Sequence, residues 1–351
     1  MSHEIQPPLV DEEALARWMD AAGLPGEGER PELSIIAGGA SNEIFGVRRG
    51  GERMVLRRPP RNVPKGRNET MLREFRVLSA LRDTDVPHAR VLGGCTDLDV
   101  LGAFFYVMEH VDGWSPMNTD GWPAPFDADL EARAGLAFEL VDGIAALANV
   151  DWRAVGLEGF GRPEGFLERQ VDRWLHHLSR VRFRELPGLD AAAEWLRRHV
   201  PPAYRTGIIH GDYQFANVMF RHGAPARLAA VVDWEMSTVG DPLLDLAWVL
   251  MGWPGDRPHE ANDMGYVDYT GMPGRAEIIE RYAAKTGLPT DRLDYYLVLA
   301  RFKMACVLEA GYARFVKGEA DNPKMEAFGP VVLEMARKAA DTAARSPLSA
   351  S

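Results

Sequence analysis

The chain begins with a helical period: Val10, Leu15, Trp18 and Met19 recur at helical spacing behind Asp11, which stands where a first turn needs a cap. That pattern predicts a short helix over 10–22. The period then shortens to two. "ELSIIAGGASNEIFGVRRGGERMVLRRPP" reads as strand, small-residue turn, strand, Gly50-Gly51 hairpin and strand, closed by Pro59-Pro60, so three antiparallel strands are expected. "NETMLREFRVLSALR" returns to the helical period, with Met71, Leu72, Phe75, Leu78 and Leu81 on one apolar side and Glu74 beside that stripe. "GAFFYVMEHVDGW" is an apolar run of β-favouring residues, read as a further strand that closes on Gly113.

Beyond that point "SPMNTDGWPAPFDADL" carries loop residues, and the helical period then dominates. Helices are expected over "LEARAGLAFELVDGIAALANV" and about 163–180, 190–199, 241–251, 276–286, 291–316 and 323–344. The β-like runs "GIIHGDYQFANVMF" and "RLAAVVDWE" interrupt them. The expected fold class is α+β: a small antiparallel-sheet lobe over 1–111 and a larger, mainly helical lobe over 112–351. There is no internal repeat, heptad run or low-complexity tract.

Composition narrows the function classes. A chain of 351 residues is long enough for two lobes, and no apolar run approaches the length of a membrane span. The first residues lack a basic stretch followed by an apolar one, so no leader is expected. Only Cys95 and Cys306 are present, far apart, which argues against a disulfide framework or zinc site and for a reducing compartment, the cytoplasm. A net charge of −11 argues against nucleic-acid binding. Residues 46–90 run the other way, with twelve Arg or Lys against five acids, which is either a solvated face or an attraction for a polyanion.

Candidate chemistry concentrates in "IIHGDYQFANVMF", where His210, Asp212 and Asn217 lie between apolar pairs. Asp233 follows at the end of "LAAVVDW", a strand that would carry its carboxylate at the tip. An amide oxygen and a carboxylate suit Mg²⁺, a hard cation that also takes phosphate oxygens, while a separate carboxylate can orient a hydroxyl and accept its proton. Taken singly, Asp212 and Asn217 read more readily as Asx-turn residues and Asp233 as a cap; the arrangement as a whole points to the chemistry. In "AGGASNEIF" the small side chains would let backbone N–H groups approach phosphates. In "MVLRRPP" strand alternation turns Val55 and Arg57 to one face and Arg58 to the other.

"HGDYQFANVMF" together with "VVDWEMSTVGDPLLDLAW" resembles the aminoglycoside phosphotransferase family: His-Gly-Asp, four residues, Asn, then an Asp-containing strand end followed by Gly-Asp-Pro and Asp-Leu-Ala. The resemblance implies a bilobal, protein-kinase-like fold, ATP and Mg²⁺ as cofactors, and transfer of phosphate to a small-molecule hydroxyl. By the same resemblance Asp212 is the base, His210 and Asp245 brace its loop, and Asn217 and Asp233 hold the metal. Gly38, Gly39, Ala40, Ser41 and Asn42 fall to the phosphate turn. Arg57 stands where kinases carry a phosphate-contacting lysine, with Glu74 as its partner, and Met108, Glu109 and Val111 fall at the adenine hinge. "VLRRPP", "MLREFRVLSAL" and "GFLERQVDRW" look most like the branch related to kinase domains attached to acyl-CoA dehydrogenases, which implies a hydroxyacyl-CoA or hydroxy acid substrate. A true aminoglycoside kinase and a catalytically silent binding module are the alternatives. Retention of the base and both metal ligands favours an enzyme. Trp234-Glu235 after Asp233 and the lack of an Ala-Pro-Glu segment disfavour a protein kinase.

Overall fold

The computed structural model describes residues 9–38, 42–63, 66–255, 267–319 and 323–350. The chain divides into two units, one of Met1–Gly113 with Val155–Leu157 and Ala229–Glu235, the other of Trp114–Ala154, Glu158–Leu228 and Met236–Ser351.

In the first unit, helix α1 (Glu12–Ala21) starts where its cap predicts, the Asp11 carboxylate accepting the N–H groups of Glu13 and Ala14 at 3.0 and 2.9 Å. Leu15 and Met19 are buried, and Trp18 meets Phe105 edge-on at 4.8 Å. Strands β1 (Glu32–Gly38), β2 (Glu43–Arg49) and β3 (Glu52–Arg58) form the predicted antiparallel run, Gly50 and Gly51 both taking the positive φ that a tight hairpin requires. Helix α2 (Arg67–Ala80) then leads to β4 (Val91–Cys95), a short helix α3 (Leu98–Leu101) and β5 (Phe105–Glu109). All neighbouring strands pair antiparallel in the order β1-β2-β3-β5-β4.

Two features of this unit depart from the sequence pattern. Strand β4 lies in "VLGGC", which carries no alternation because a side chain is not tolerated there. A Cβ on Gly94 would stand 2.5 Å from the Phe75 ring, so the glycine is what lets α2 approach the sheet. On α2 itself the buried face runs through Met71, Glu74, Val77, Leu78 and Leu81, while Leu72 is exposed and Phe75 half-buried. Glu74 therefore sits within the apolar face, not beside it.

The second unit is mainly helical. After a turn at Pro116–Asn118, α4 (Leu130–Asn149) is capped by Asp129. The helix expected from about 163 begins only at Gln170, as α5 (Gln170–Ser179), because Pro163 and a positive-φ Gly165 hold the preceding residues in turns. Helix α6 (Leu189–Arg198) follows, then β6 (Gly207–Ile209), β7 (Val218–Phe220) and β8 (Leu228–Val231), where the chain returns to the first unit. Strand β9 (Thr238–Gly240) pairs antiparallel with β6. Helices α7 (Leu243–Met251), α8 (Arg275–Thr286), α9 (Leu293–Val316) and α10 (Pro323–Arg345) complete the unit. From Leu293 to Cys306 α9 is buried nearly all round, packed by α5, α6, α7 and α10. Among the described residues no helix is long and apolar enough to cross a membrane.

Candidate active site

The loop after β6 holds the first group of predicted residues. His210 is fully buried and Gly211 takes φ +85°. A Cβ on Gly211 would stand 2.6 Å from the Met236 carbonyl oxygen, so only glycine fits the turn. Asp245, in the first turn of α7, accepts the backbone N–H of His210 at 2.6 Å and of Gly211 at 2.8 Å, one on each carboxylate oxygen. Burial pushes the Asp245 carboxyl up to about 6, against the pull of those two donors and of Lys303. The His210 ring accepts the Asp212 N–H on Nδ1 at 3.3 Å, which places its proton on Nε2.

Asp212 is held from two sides. Gln214 Nε2 donates to its Oδ1 at 2.8 Å, and Asn217 Nδ2 donates both to its Oδ2 and to its backbone carbonyl, each at 2.8 Å. With both donor hydrogens of Asn217 spent on Asp212, the amide oxygen Oδ1 is what that side chain can offer a cation. The loop is anchored further by Tyr213, whose hydroxyl donates to the Leu140 carbonyl at 2.8 Å.

In the first unit the residues 229–235 attach through the Val231 N–H, which donates to the Pro87 carbonyl at 2.8 Å. Asp233 follows with φ +63°, the sole non-glycine with positive φ among the described residues, and its side chain is partly exposed. Such a backbone costs about 1–3 kcal/mol and persists where the surroundings enforce it. Arg57 Nη2 lies 3.1 Å from Glu74 Oε1 and 3.7 Å from Asp233 Oδ1, so the predicted partner is in contact and a second carboxylate joins it. Burial opposes the Arg57 charge, yet Glu74 keeps the guanidinium above its ordinary range. Burial pushes the Glu74 carboxyl up to about 7 against the attraction of Arg57. Arg58 turns the other way and donates to the Leu9 carbonyl.

Gly38 ends β1, paired with Glu43, while Gly39, Ala40 and Ser41 lie outside the described residues. Asn42 is buried, and its Oδ1 accepts from Arg67 Nε at 3.1 Å. Met108 is half-buried in the ladder opposite Val55 and Val91, and the Glu109 N–H is committed to the Arg90 carbonyl at 2.9 Å. Val111 follows the end of that strand. Among the described residues, Arg57 Nε and Asn42 Nδ2 are buried nitrogens with no hydrogen-bond partner, and Glu74 Oε2 is a buried oxygen beside Tyr106. Arg57 Nε and Asn42 Nδ2 are N–H donors of the kind a phosphate-bearing ligand would take, whereas Glu74 Oε2 is an acceptor and would not face one.

The basic stretch of residues 46–90 is less available than its sequence implies. Arg49 is buried against Asp20 and the carbonyls of Glu29 and Pro25, and Arg67 pairs with Glu235 at 3.0 Å. With Arg57 and Arg58, four of its cations are spent inside the unit. Sequence reasoning also missed Lys303 on α9, whose ammonium donates to the Gly211 carbonyl. The signal was a lysine inside the apolar run of residues 295–306. Asp241 was missed too: burial pushes it up to about 6, and it accepts from Tyr296 Oη at 2.5 Å and the Leu243 N–H at 3.0 Å, starting α7. A cavity of about 560 Å³ in the second unit is lined by residues that include Leu297, Arg301, Lys338 and Thr342 and by none of the predicted site residues.

Residues 32–279 match the family model of the phosphotransferase enzyme family, APH. Over 95% of the chain, acyl-CoA dehydrogenase family member 11 of Gallus gallus is 31% identical, and the chain spans 44% of that relative. A Ralstonia eutropha crystal structure provisionally named an aminoglycoside phosphotransferase is also 31% identical, with 96% of this chain and 99% of that one covered at a TM-score of 0.79. Aminoglycoside phosphotransferase APH(4)-Ia, solved as a ternary complex with ADP and hygromycin B, is 15% identical over 94% and 98% of the two chains at a TM-score of 0.60 and shares the fold. The chain therefore belongs to the phosphotransferase enzyme family, APH.

Proposed function

We propose that this protein is a small-molecule kinase that transfers the γ-phosphate of ATP, with Mg²⁺, to a hydroxyl group, with Asp212 as the base. The observation that carries the reading is the pairing of Asp212 with Asn217. One amide fixes the orientation of the base through two 2.8 Å bonds and keeps an oxygen for a cation. Asp212 would take the proton from the substrate hydroxyl as its oxygen attacks the γ-phosphorus and ADP leaves. His210 and Asp245 hold the backbone on which that carboxylate stands.

Asn217 Oδ1 and the Asp233 carboxylate are the proposed Mg²⁺ ligands, oxygen donors that suit a hard cation. When bound, the cation supplies neutralisation of charge on the phosphate oxygens. In the lobe proposed over 1–111, Arg57, steadied by Glu74, would contact phosphate. The backbone of Gly38 to Asn42 would cover the phosphates, and Glu109 and Val111 would pair with adenine beside Met108. The lobe proposed over 112–351 supplies the base and the acceptor site.

For the acceptor we propose a hydroxyacyl-CoA or hydroxy acid, in a reducing cytoplasm that suits the two buried free thiols. The 31% likeness to a protein named for acyl-CoA dehydrogenation supports that class, the equal 31% likeness to a structure named as an aminoglycoside phosphotransferase supports the aminoglycoside alternative, and the 15% likeness to a hygromycin-binding enzyme is one of fold. The test is mass spectrometry of phosphate addition, with ATP and Mg²⁺, across hydroxyacyl-CoAs, hydroxy acids, aminoglycosides and amino alcohols. Asp212→Asn should lower turnover at least about 10²-fold with little change in nucleotide affinity. Near-normal turnover in that variant would remove Asp212 as base, and an aminoglycoside turned over while every hydroxyacyl compound stayed inert would reverse the acceptor class.

A further inference from the structure

The catalytic-loop peptide between Gly211 and Asp212 is gripped at both of its polar atoms. Its N–H, on Asp212, donates to His210 Nδ1 at 3.3 Å, and its carbonyl, on Gly211, accepts from the Lys303 ammonium. Lys303 is 4% exposed, and its Nζ lies over the rings of Trp248 at 4.8 Å and Trp174 at 5.5 Å. Burying an ammonium costs several kcal/mol before any partner is counted, and a methionine would fill the same space without that cost. Two indole faces and one carbonyl are partial compensation. The remainder comes from charge: Asp212 in the loop and Asp245 on α7 attract the ammonium, while Arg173 on α5 opposes it. Asp245 in turn holds the two preceding N–H groups of the same loop.

We propose that Lys303 is a positioning residue for phosphoryl transfer, its ammonium fixing the plane of the Gly211–Asp212 peptide and supplying the counter-charge to Asp245. The proposal rests on the reading of Asp212 as base. Burial lowers the Lys303 ammonium to about 8 against the attraction of the two carboxylates, so the grip loosens on the alkaline side of neutrality. Loss of the ammonium also removes a charge that favours ionised Asp245, so that carboxyl moves further up.

The test compares wild type with Lys303→Met, which keeps length and removes charge, using ATP hydrolysis with water as acceptor and ¹³C NMR titration of the Asp245 carboxyl, assigned with Asp245→Asn. In Lys303→Met, kcat should fall about tenfold, the value of one ordinary hydrogen bond, with nucleotide KM unchanged. The wild-type decline above about pH 8 should vanish in the variant, and its Asp245 carboxyl should titrate at higher pH. Unchanged kcat with an unchanged alkaline limb, or an unmoved Asp245 titration, would overturn the proposal. Should Lys303→Met not fold, the Lys303 ammonium and the Asp245 carboxyl are followed together by NMR in wild type, and an Asp245 signal that does not respond as Lys303 loses its proton would overturn it as well. If Asp212→Asn hydrolyses ATP as fast as wild type, the base assignment fails instead, and the Asp245 titration still decides the charge coupling.

Discussion

Asn217→Asp separates two demands placed on one side chain. For cation binding alone the change adds a negative charge and should help. For the loop it replaces a donor of two 2.8 Å bonds to Asp212 with a second carboxylate. The bond to the Asp212 carbonyl is worth about 0.5–1.5 kcal/mol and the charge-assisted one about 1.5–3 kcal/mol, so their loss costs about 2–4.5 kcal/mol. Two carboxylates about 3 Å apart also repel by about 5.5 kcal/mol at an effective dielectric of 20 and about 1.4 kcal/mol in bulk water. Both residues are half-buried, so the true value lies between, which raises the upper pKa of the pair by about 1–4 units. A carboxyl raised in the folded chain binds a proton that the unfolded chain has released. The penalty is therefore absent at low pH and grows as pH rises towards the raised value. Thermal unfolding of the metal-free variant and wild type, compared between about pH 5 and about pH 8, should show a deficit that widens with pH, and added Mg²⁺ should narrow it. A deficit constant across that range, or none at all, would refute the donor role of the Asn217 amide.

Arg57→Ala should weaken ATP far more than adenosine in calorimetric titration, because only ATP carries the charge the guanidinium would read. Arg58→Ala, which removes a donor to the Leu9 carbonyl, should cost stability and leave ATP affinity nearly unchanged. Gly211→Ala should destabilise by about 2–5 kcal/mol in chemical denaturation, from about 1–2 kcal/mol for positive φ and about 1–3 kcal/mol for crowding the Met236 carbonyl; a loss below about 1 kcal/mol would count against the turn geometry. With Asp241 raised from 3.8 to about 6, the folded chain binds more protons than the unfolded one between those values. Stability should then fall as pH rises through that window, by about 3 kcal/mol from this group, and Asp241→Asn should flatten the slope.

The sequence alone determined the element types, because period two and period 3.6 are local properties that a strand or helix must satisfy to bury one side. Asp11 as a cap, Gly50-Gly51 as a hairpin and the long helices of the second unit were legible locally, whereas His210, Asp212, Asn217 and Asp233 were singled out by resemblance to a family motif and not by period. Only tertiary structure decided which groups meet. Strand β4 needed its neighbours: pairing with β5 makes it a strand, and Gly94 stands in it because Phe75 leaves no room for a Cβ. Glu74 entered the buried face of α2 because Arg57 stands across from it, and four cations of a stretch that looks basic in sequence are consumed by internal partners. Lys303 is separated from Gly211 by 92 positions, so no local pattern links them. A buried charge is defined by its partners, and partners this far apart along the chain are brought together by packing alone.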